Sequence, residues 1–323
     1  MIGKVCGTGS CVPAEVWDNQ RLAEMVETSD EWIRERTGVA RRHIARGEET
    51  TVYLASKASM NALENAGMKP EEVELIIAAT ISPDQIMPST ACEIQKNIGA
   101  VNATCFDLNA ACTGFLFALN TAQAYLSQGI YKTALIVGAE TLSNLTNWKD
   151  RSTCILFGDG AGAAVLKAEE TGIFAQVTHS DGEKGGVLTC TSRNRIDYEN
   201  HAAAPETYMQ MDGKEVFKFA VSKVPEAIDE LLEKAQMDVQ QIDHFLLHQA
   251  NERIIRSVAK RLKQSIDKFP INMEEYGNTS SASIPILLDN LNRAGALEKG
   301  DKIIISGFGA GLSYGASLIE WQK

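Results

Sequence analysis

Cys112, in the segment "DLNAACTGFLFAL" at residues 107–119, has the sequence surroundings of a prepared nucleophile. Phe106 and Leu108 alternate with polar residues before it, as in a strand, and apolar residues recur at helical spacing after it. Cys112 is therefore predicted at a strand-to-helix junction, where the positive end of the helix dipole favours a thiolate over a thiol. The alternative is a buried cysteine that packs only as a small hydrophobe.

An internal repeat indicates which elements position this cysteine. Three pairs of segments match at one offset of 169 residues: "AGMKPEEVELIIAA" at 66–79 with "AQMDVQQIDHFLLH" at 235–248, "KTALIVGA" from 132 with "DKIIISGF" from 301, and "YLASKASMNALENAG" from 53 with "SKVPEAIDELLEKAQ" from 222. The order helix, strand, helix, strand in each copy predicts an α/β layered fold of two similar halves. We place these halves at residues 1–172 and 173–323.

The same offset predicts what faces Cys112. Its counterpart is Ser281 in "YGNTSSASIP", residues 276–285, a polar loop rich in Gly and Asn that precedes a helix. Pseudo-twofold symmetry would bring the two loops face to face, with the end of the strand in "HFLLHQAN" beside them.

The composition limits the classes of function. With 31 basic and 42 acidic residues the net charge is −11, which argues against general affinity for nucleic acid. Seven cysteines form no CxxC pair and no Cys/His cluster with zinc spacing, so neither a metal site nor a disulfide framework is indicated. The N-terminal segment has no long apolar core, and runs such as "LIIAATI" are too short to cross a bilayer. We expect a cytoplasmic protein without membrane contact.

Five motifs occur in a family's order and spacing: "AACTGF", "FGDGAGAAVL", "HQAN", "GNTSSASIP" and "SGFGAG". On these motifs the chain resembles the β-ketoacyl-acyl-carrier-protein synthase III family of thiolase-fold condensing enzymes, almost from end to end. The resemblance implies a thiolase-like fold with αβαβα layers. It also implies decarboxylative condensation of a short-chain acyl-CoA with malonyl-acyl-carrier-protein, which gives 3-oxoacyl-carrier-protein, CoA and CO2 and starts fatty-acid synthesis. A polyketide starter synthase of secondary metabolism is the alternative.

The resemblance assigns Cys112 as the acyl-accepting nucleophile and His248 and Asn278 as its partners. An acyl-cysteine divides one difficult transfer into two easier ones, and the enolate left by decarboxylation needs hydrogen-bond donors. An asparagine cannot accept a proton as a base does, so the trio suits carbanion stabilisation. The resemblance also places the backbone N–H groups of Cys112 and Ala310 in an oxyanion hole. Acyl-CoA is a substrate here, and no cofactor or metal is expected.

A CoA site is implied around Trp32 and Arg36, which share a helix face at positions i and i+4. An aromatic ring beside a guanidinium offers stacking for adenine and charge for phosphate. The resemblance assigns the adenine to Trp32 and Arg151, with further CoA contacts from Thr28, Arg36, Gly213 and Asn251. A surface helix with a half-exposed tryptophan is the alternative.

The resemblance implies a homodimer in which Met87 walls off the acyl pocket of the second copy, at a position where relatives often have phenylalanine. Because methionine is softer, we expect starters longer or more branched than acetyl. Leu142, Phe157 and Met211 are expected in the same pocket, or as plain core residues.

In "NERIIRSVAKRLK", Arg253, Arg256 and Lys260 share a helix face. They form either a solvated basic face or the dock for an acidic acyl carrier protein.

Other cysteine enzymes fit less well. Degradative thiolases use a second cysteine near the C-terminal glycine loop, but no cysteine follows Cys190. Hydroxymethylglutaryl-CoA synthases use a glutamate where this chain has "IIAATISPD". A papain-like hydrolase would lack the repeat and would have an aromatic residue in place of Thr113. A catalytically dead acyl-binding protein should have lost at least one member of the trio, and all three are present.

Overall fold

The computed structural model describes residues 1–191 and 208–323. In this part of the chain the strands are β1 (Ile2–Cys11), β2 (Glu15–Asp18), β3 (Arg41–Ile44), β4 (Leu75–Ala79), β5 (Thr104–Leu108), β6 (Thr133–Thr141), β7 (Asp159–Glu169), β8 (Phe174–Ser180), β9 (Leu188–Thr189), β10 (Gln210–Met211), β11 (His244–Leu247), β12 (Lys302–Gly309) and β13 (Ser313–Glu320). The α-helices in it are α1 (Asn19–Ala23), α2 (Asp30–Thr37), α3 (Thr51–Ala66), α4 (Thr90–Ile98), α5 (Gly114–Ser127), α6 (Arg151–Cys154), α7 (Gly213–Ala235), α8 (Glu252–Arg261), α9 (Met273–Tyr276) and α10 (Ser283–Arg293).

Two sheets are stacked between three layers of helices. The first sheet has the order β1-β7-β6-β4-β5 and the second β11-β12-β13-β8. Helices α3 and α4 pack on the outer face of the first sheet, and α7 and α8 pack on the outer face of the second. Helices α5 and α10 fill the space between the sheets, where their apolar side chains contact both. The predicted αβαβα layering is confirmed.

The two sheets have equivalent strand orders. Strands β4, β6, β7 and β1 of the first correspond to β11, β12, β13 and β8 of the second. The predicted offset of 169 residues holds for the strands within the repeated segments. Strand β4 starts at Leu75 and β11 at His244, and β6 starts at Thr133 and β12 at Lys302. The halves differ at one edge, because the segment equivalent to β5 forms the short helix α9. The division of the chain at residue 172 stays a prediction.

The central helices begin at a pair of matched turns. A short 3-10 turn, Ala111–Thr113, precedes α5, and its counterpart Ser280–Ala282 precedes α10. The first residue of each turn has left-handed backbone, with φ of 46° at Ala111 and 49° at Ser280. Non-glycine residues rarely adopt this conformation, which costs free energy and concentrates at functional sites. The two turns contact each other, as the repeat predicted.

Glycines in "FGDGAGAAVL" allow close packing between β7 and α10. A Cβ at Gly162 would lie 2.7 Å from the backbone N of Ile286, so a larger residue would push the start of α10 away from the sheet. This agrees with the prediction that these glycines serve strand packing. Among the helices of the described residues, none is both long enough and apolar enough to cross a membrane.

Candidate active site

The predicted trio lines one cavity of about 250 Å³. Cys112 lies in the turn before α5, His248 directly follows β11, and Asn278 lies in the loop before α10. Ala310, directly after β12, also lines this cavity. Segments far apart in the sequence therefore place one thiol, one imidazole and one carboxamide around the same space.

The thiol of Cys112 is buried, with 9% of the residue exposed. Burial raises its pKa to about 12, with Glu140 adding to the rise and the nearby Ser280 hydroxyl opposing it. This shift is opposite to the predicted stabilisation of a thiolate by the helix dipole. A helix terminus is worth about 0.3–1 kcal/mol, whereas desolvation of a fully buried charge costs several kcal/mol. Desolvation by burial therefore favours the protonated thiol over the thiolate.

His248 is held as a neutral hydrogen-bonding group. It is 2% exposed, and burial lowers its pKa to about 3. Its Nδ1 lies 2.7 Å from Ser283 Oγ, which also accepts the backbone N–H of Gln249 at 3.3 Å. Ser283 can therefore donate its own hydrogen to Nδ1, which places the imidazole proton on Nε2. The Phe308 ring packs edge-on against the imidazole at 5.4 Å between centroids.

Asn278 is oriented by its own backbone and by the next turn. Its backbone N–H donates to Leu156 O at 2.8 Å, and its carbonyl accepts the N–H of Gly158 at 3.0 Å. Its Oδ1 accepts the backbone N–H of Ser280 at 2.9 Å. Because Oδ1 is engaged, Nδ2 is the end of the carboxamide left to donate into the cavity. Nε2–H of His248 and Nδ2–H of Asn278 are thus two uncharged donors suited to a developing oxyanion.

Gly309 is a site residue that the sequence reasoning missed, although its motif "SGFGAG" was noted. A Cβ at this position would lie 2.8 Å from the backbone N of Cys112 and 3.1 Å from its Cβ. Only glycine lets the end of β12 approach the nucleophile this closely. The same approach brings Ala310 to the cavity wall. The motif alone could not show this role, because the approach of Gly309 to Cys112 exists only once the two sheets pack.

Two polar residues behind Cys112 were also missed, Ser280 and Glu140. Both act on the pKa of the Cys112 thiol, and both are buried. Ser280 lines the cavity. It directly precedes Ser281, which the repeat had already identified as the counterpart of Cys112.

The predicted CoA residues surround one side of the cavity but do not all line it. On α2, the Arg36 guanidinium lies 4.4 Å from the centroid of the Trp32 ring, and the Arg151 guanidinium lies 4.8 Å from it. Arg36, Gly213 and Asn251 line the cavity, and Asn251 Nδ2 donates to Arg36 O at 2.9 Å. Thr28 instead lies in a separate surface groove beside α2.

The predicted acyl-pocket residues divide into two groups. Leu142, Phe157 and Met211 line the cavity that holds Cys112. Met87 does not line the cavity of its own chain, and 82% of it is exposed. Its neighbour Ile86 is 69% exposed. The two residues form an apolar loop tip on the surface of a single copy.

The basic face of α8 lies beside the same cavity, since Asn251 and Ile254 at the start of this helix line it. Arg253, Arg256 and Lys260 are all exposed. The Arg256 guanidinium pairs with Glu252 at 2.5 Å, which neutralises part of its charge. The Arg253 guanidinium lies 5.6 Å from the centroid of the Phe217 ring.

Comparison with known proteins identifies relatives that all belong to one family. Residues 106–182 match the family "3-Oxoacyl-[acyl-carrier-protein (ACP)] synthase III", and residues 232–321 match its C-terminal family. The Beta-ketoacyl-[acyl-carrier-protein] synthase III of Clostridium novyi (strain NT) is 49% identical over 324 residues, which cover 99% of each chain.

Two solved structures extend this comparison. The 3-oxoacyl-[acyl-carrier-protein] synthase III from Aquifex aeolicus VF5 is similar with a TM-score of 0.92 and 41% identity, over 99% of this chain and 100% of that one. The priming beta-ketosynthase from the R1128 polyketide biosynthetic pathway has a TM-score of 0.94 and 36% identity, over 100% of this chain and 97% of that one.

We predict that His248 stays neutral between pH 4.5 and 8, on the basis of its pKa of about 3. NMR of histidine labelled with nitrogen-15 should show one imidazole with a fixed Nε2–H tautomer, and His248→Gln should remove that signal. Ser283→Ala should allow both tautomers. Titration of this signal near pH 6.5 would contradict the prediction.

Since the unfolded histidine has the higher pKa, the contribution of His248 to folding stability is complete above pH 6.5 and falls as the pH drops towards 3.

Proposed function

Because this chain belongs to the β-ketoacyl-[acyl-carrier-protein] synthase III family, we propose that it condenses a short-chain acyl-CoA with malonyl-acyl-carrier-protein. The products are a 3-oxoacyl-carrier-protein, CoA and CO2, and the reaction starts fatty-acid synthesis. The observation that carries the proposal is the set of groups around the cavity. A thiol faces two uncharged hydrogen-bond donors, from His248 and Asn278, in a buried site.

Cys112 performs the first half-reaction. Its sulfur attacks the thioester carbonyl of acyl-CoA, the oxyanion forms beside the backbone N–H groups of Cys112 and Ala310, and CoA leaves as the acyl-cysteine forms. The two arginines stacked on Trp32 support adenine and phosphate recognition at the cavity mouth. Gly213 and Asn251, which line the cavity, belong to the same proposed CoA surface, whereas Thr28 lies in a separate groove.

His248 and Asn278 serve the second half-reaction. Malonyl thioester loses CO2, and the enolate oxygen that develops accepts hydrogen bonds from Nε2 of His248 and Nδ2 of Asn278. A charged imidazolium is not required, because decarboxylation itself supplies the carbanion. The enolate carbon then attacks the acyl-cysteine, and the Cys112 thiolate leaves. Acyl-CoA is consumed as a substrate, and the reaction as proposed calls for no cofactor or metal.

A polyketide starter synthase is the second candidate, supported by the similarity to the R1128 priming beta-ketosynthase. The greater identity to the Clostridium novyi synthase III, 49% against 36%, favours fatty-acid synthesis. A cytoplasmic location stays a prediction from the sequence.

The first test is the intact mass of the protein after incubation with acyl-CoA. We expect an acyl adduct on Cys112 that disappears when malonyl-carrier-protein is added, and no thioester adduct on Cys112→Ser. The physical reason is that the acyl-cysteine is a stable intermediate until a carbanion attacks it. Absence of any adduct from a panel of acyl-CoAs would contradict the proposed function.

We further propose that the acyl carrier protein docks on the basic face of α8. Arg253 is the central residue, because Arg256 already pairs with Glu252 whereas Arg253 is exposed next to the cavity mouth. The chain as a whole has a net charge of −11, so the positive charge of this basic face differs in sign from that of the rest of the protein.

Arg253→Glu should raise the KM for malonyl-carrier-protein about tenfold, since reversing a contact charge at an interface costs on the order of 1.4 kcal/mol. Acyl transfer from acyl-CoA to Cys112 should be unchanged. Lys299→Glu makes the same charge change on an exposed turn before β12 and serves as the control. Equal loss of both half-reactions in Arg253→Glu would contradict the docking assignment.

We also propose that the active form is a homodimer in which the loop tip of Ile86 and Met87 covers the acyl cavity of the second copy. The exposure of two neighbouring apolar side chains supports an interface at this loop. A flexible methionine at the end of a cavity lined by Leu142, Phe157 and Met211 leaves room for longer starters.

Acylation of Cys112 by butyryl- and isobutyryl-CoA should therefore be at least as fast as acylation by acetyl-CoA. Met87→Phe should lower the rate with isobutyryl-CoA about tenfold and leave the acetyl-CoA rate within about twofold, because a rigid ring would shorten the pocket. A strict preference of the unaltered protein for acetyl-CoA would overturn this assignment of Met87.

A further inference from the structure

Thr113 and Ser313 form a pair of buried hydroxyl groups directly behind the wall of the cavity. They follow Cys112 and Leu312, which line the cavity, but they do not line it themselves. The two side-chain oxygens lie 2.8 Å apart, although 200 positions separate the residues in the sequence. This hydrogen bond joins the turn that holds Cys112 to the first residue of β13.

The distances assign the direction of this hydrogen bond. Thr113 Oγ1 lies 2.6 Å from Ala110 O, and a carbonyl can only accept, so the single hydroxyl hydrogen of Thr113 goes there. Ser313 Oγ therefore donates to Thr113 Oγ1. A competing contact from Ser313 Oγ to Ala310 O is longer, at 3.3 Å, which exceeds the usual distance between two hydrogen-bonded oxygens. One ordered path thus runs from Ser313 through Thr113 to Ala110 O, the carbonyl that also accepts the N–H of Thr113 and closes the turn.

The pair connects the two backbone segments that are proposed to hold the oxyanion. The N–H of Cys112 lies in the residue before Thr113, and the N–H of Ala310 lies in the loop that ends at Ser313. The segments approach closely at Gly309, where a Cβ would lie 2.8 Å from the backbone N of Cys112. The separation of two segments this close together decides whether both N–H groups can reach one oxygen atom.

The internal repeat supplies a comparison within the same chain. At the offset of 169 residues, Thr113 corresponds to Ala282, the third residue of the matched turn before α10. Both turns begin with a left-handed residue, Ala111 or Ser280, so the turn forms without a hydroxyl at its third position. The hydroxyl is present in the copy that carries the reacting thiol, which indicates a role in the reaction.

We propose that Thr113 and Ser313 are positioning residues that fix the separation of the two N–H groups of the oxyanion hole. Neither hydroxyl touches the substrate. The pair holds both donors in place before the substrate arrives, so they need not reorganise as negative charge develops. This assignment rests on the proposed function, in which that charge develops on the carbonyl oxygen of the acyl group.

The position of these donors affects one step more than another. An oxyanion-hole donor contributes a factor of about 10²–10³ to the rate, and a displacement of about 1 Å can cost about 10²-fold. Acylation of Cys112 passes through an oxyanion on the acyl group. Decarboxylation of the malonyl thioester instead relies on His248 and Asn278, so loss of the hydroxyl pair should slow acylation selectively.

The test is the single-turnover rate of Cys112 acylation by acyl-CoA, read from the intact mass. Ser313→Ala and Thr113→Val should each lower this rate about 10- to 100-fold. The half-saturating concentration of acyl-CoA should stay within about twofold, because the proposed CoA surface is not altered. Since the two residues share one hydrogen bond, the double variant should be no slower than the slower single variant. Ser313→Thr and Thr113→Ser keep both hydroxyls and should retain most of the rate.

Two further readouts separate positioning of the oxyanion from reactivity of the thiol. Alkylation by iodoacetamide forms no oxyanion, so its rate at Cys112, read from the mass of the Cys112 peptide, should be the same in the unaltered protein, Ser313→Ala and Thr113→Val. Release of CO2 from malonyl-carrier-protein should also persist in both variants.

Ser317→Ala is the matched control for folding stability. Ser317 Oγ is buried and donates to Asn120 Oδ1 at 2.7 Å, which joins the same strand β13 to the helix α5 that follows Thr113. Neither Ser317 nor Asn120 lines the cavity. Loss of this bond should lower the melting temperature as Ser313→Ala does, but it should leave the acylation rate unchanged. An equal loss of acylation in Ser317→Ala would show that the hydroxyl pair is merely structural and would overturn the proposal.

Unchanged acylation in either Ser313→Ala or Thr113→Val would also overturn the proposal, as would equal losses of acylation and alkylation. If Ser313→Ala does not fold, Thr113→Val, which keeps the size and shape of the side chain, decides alone. If the unaltered protein forms no adduct with acyl-CoA, the proposed function fails instead. The same variants are then compared with p-nitrophenyl acetate, since attack of Cys112 on this ester also forms an oxyanion. Equal acetylation rates in the unaltered protein and Thr113→Val would then contradict the positioning role.

Discussion

Burial of Cys112, His248 and Glu140 determines the chemical character of the groups in and behind the cavity. Desolvation keeps the thiol protonated and the imidazole of His248 neutral, and it raises the pKa of Glu140. A site of this kind works through oriented uncharged donors. In water the same groups would be partly ionised and their hydrogen bonds would be weaker. The layered packing of the two sheets and the central helices is what maintains this burial.

The internal repeat supplies two equivalent turns, and the chain uses them differently. Ala111 and Ser280 have the same left-handed backbone, and each precedes the residue at the tip of its turn, Cys112 and Ser281. The first tip faces the cavity as the nucleophile. The second donates a hydrogen bond to Glu140 behind the cavity. One structural device thus provides both the reacting sulfur and a hydrogen bond to the buried carboxyl group of Glu140.

The sequence was sufficient for the fold and for the convergence of Cys112, His248 and Asn278 on one cavity, because both depend on patterns of residue type. The repeat with its fixed offset predicted the layers, and the motifs predicted which side chains converge. The protonation of Cys112 could not be predicted, since it depends on the burial that segments from both halves create together. Gly309 and Glu140 were missed for the same reason, because their proximity to Cys112 exists only after the sheets pack. Met87 was predicted to line a pocket of a second copy, and a single chain shows only its exposure.

The most direct test of this account is the S–H stretching band of Cys112 in the infrared spectrum of the free protein at neutral pH. The difference between the unaltered protein and Cys112→Ser isolates this thiol from the other six cysteines. The account predicts a clear S–H band in the difference spectrum, because the resting thiol is protonated. Absence of that band would mean a resting thiolate, and would show that the helix dipole outweighs desolvation.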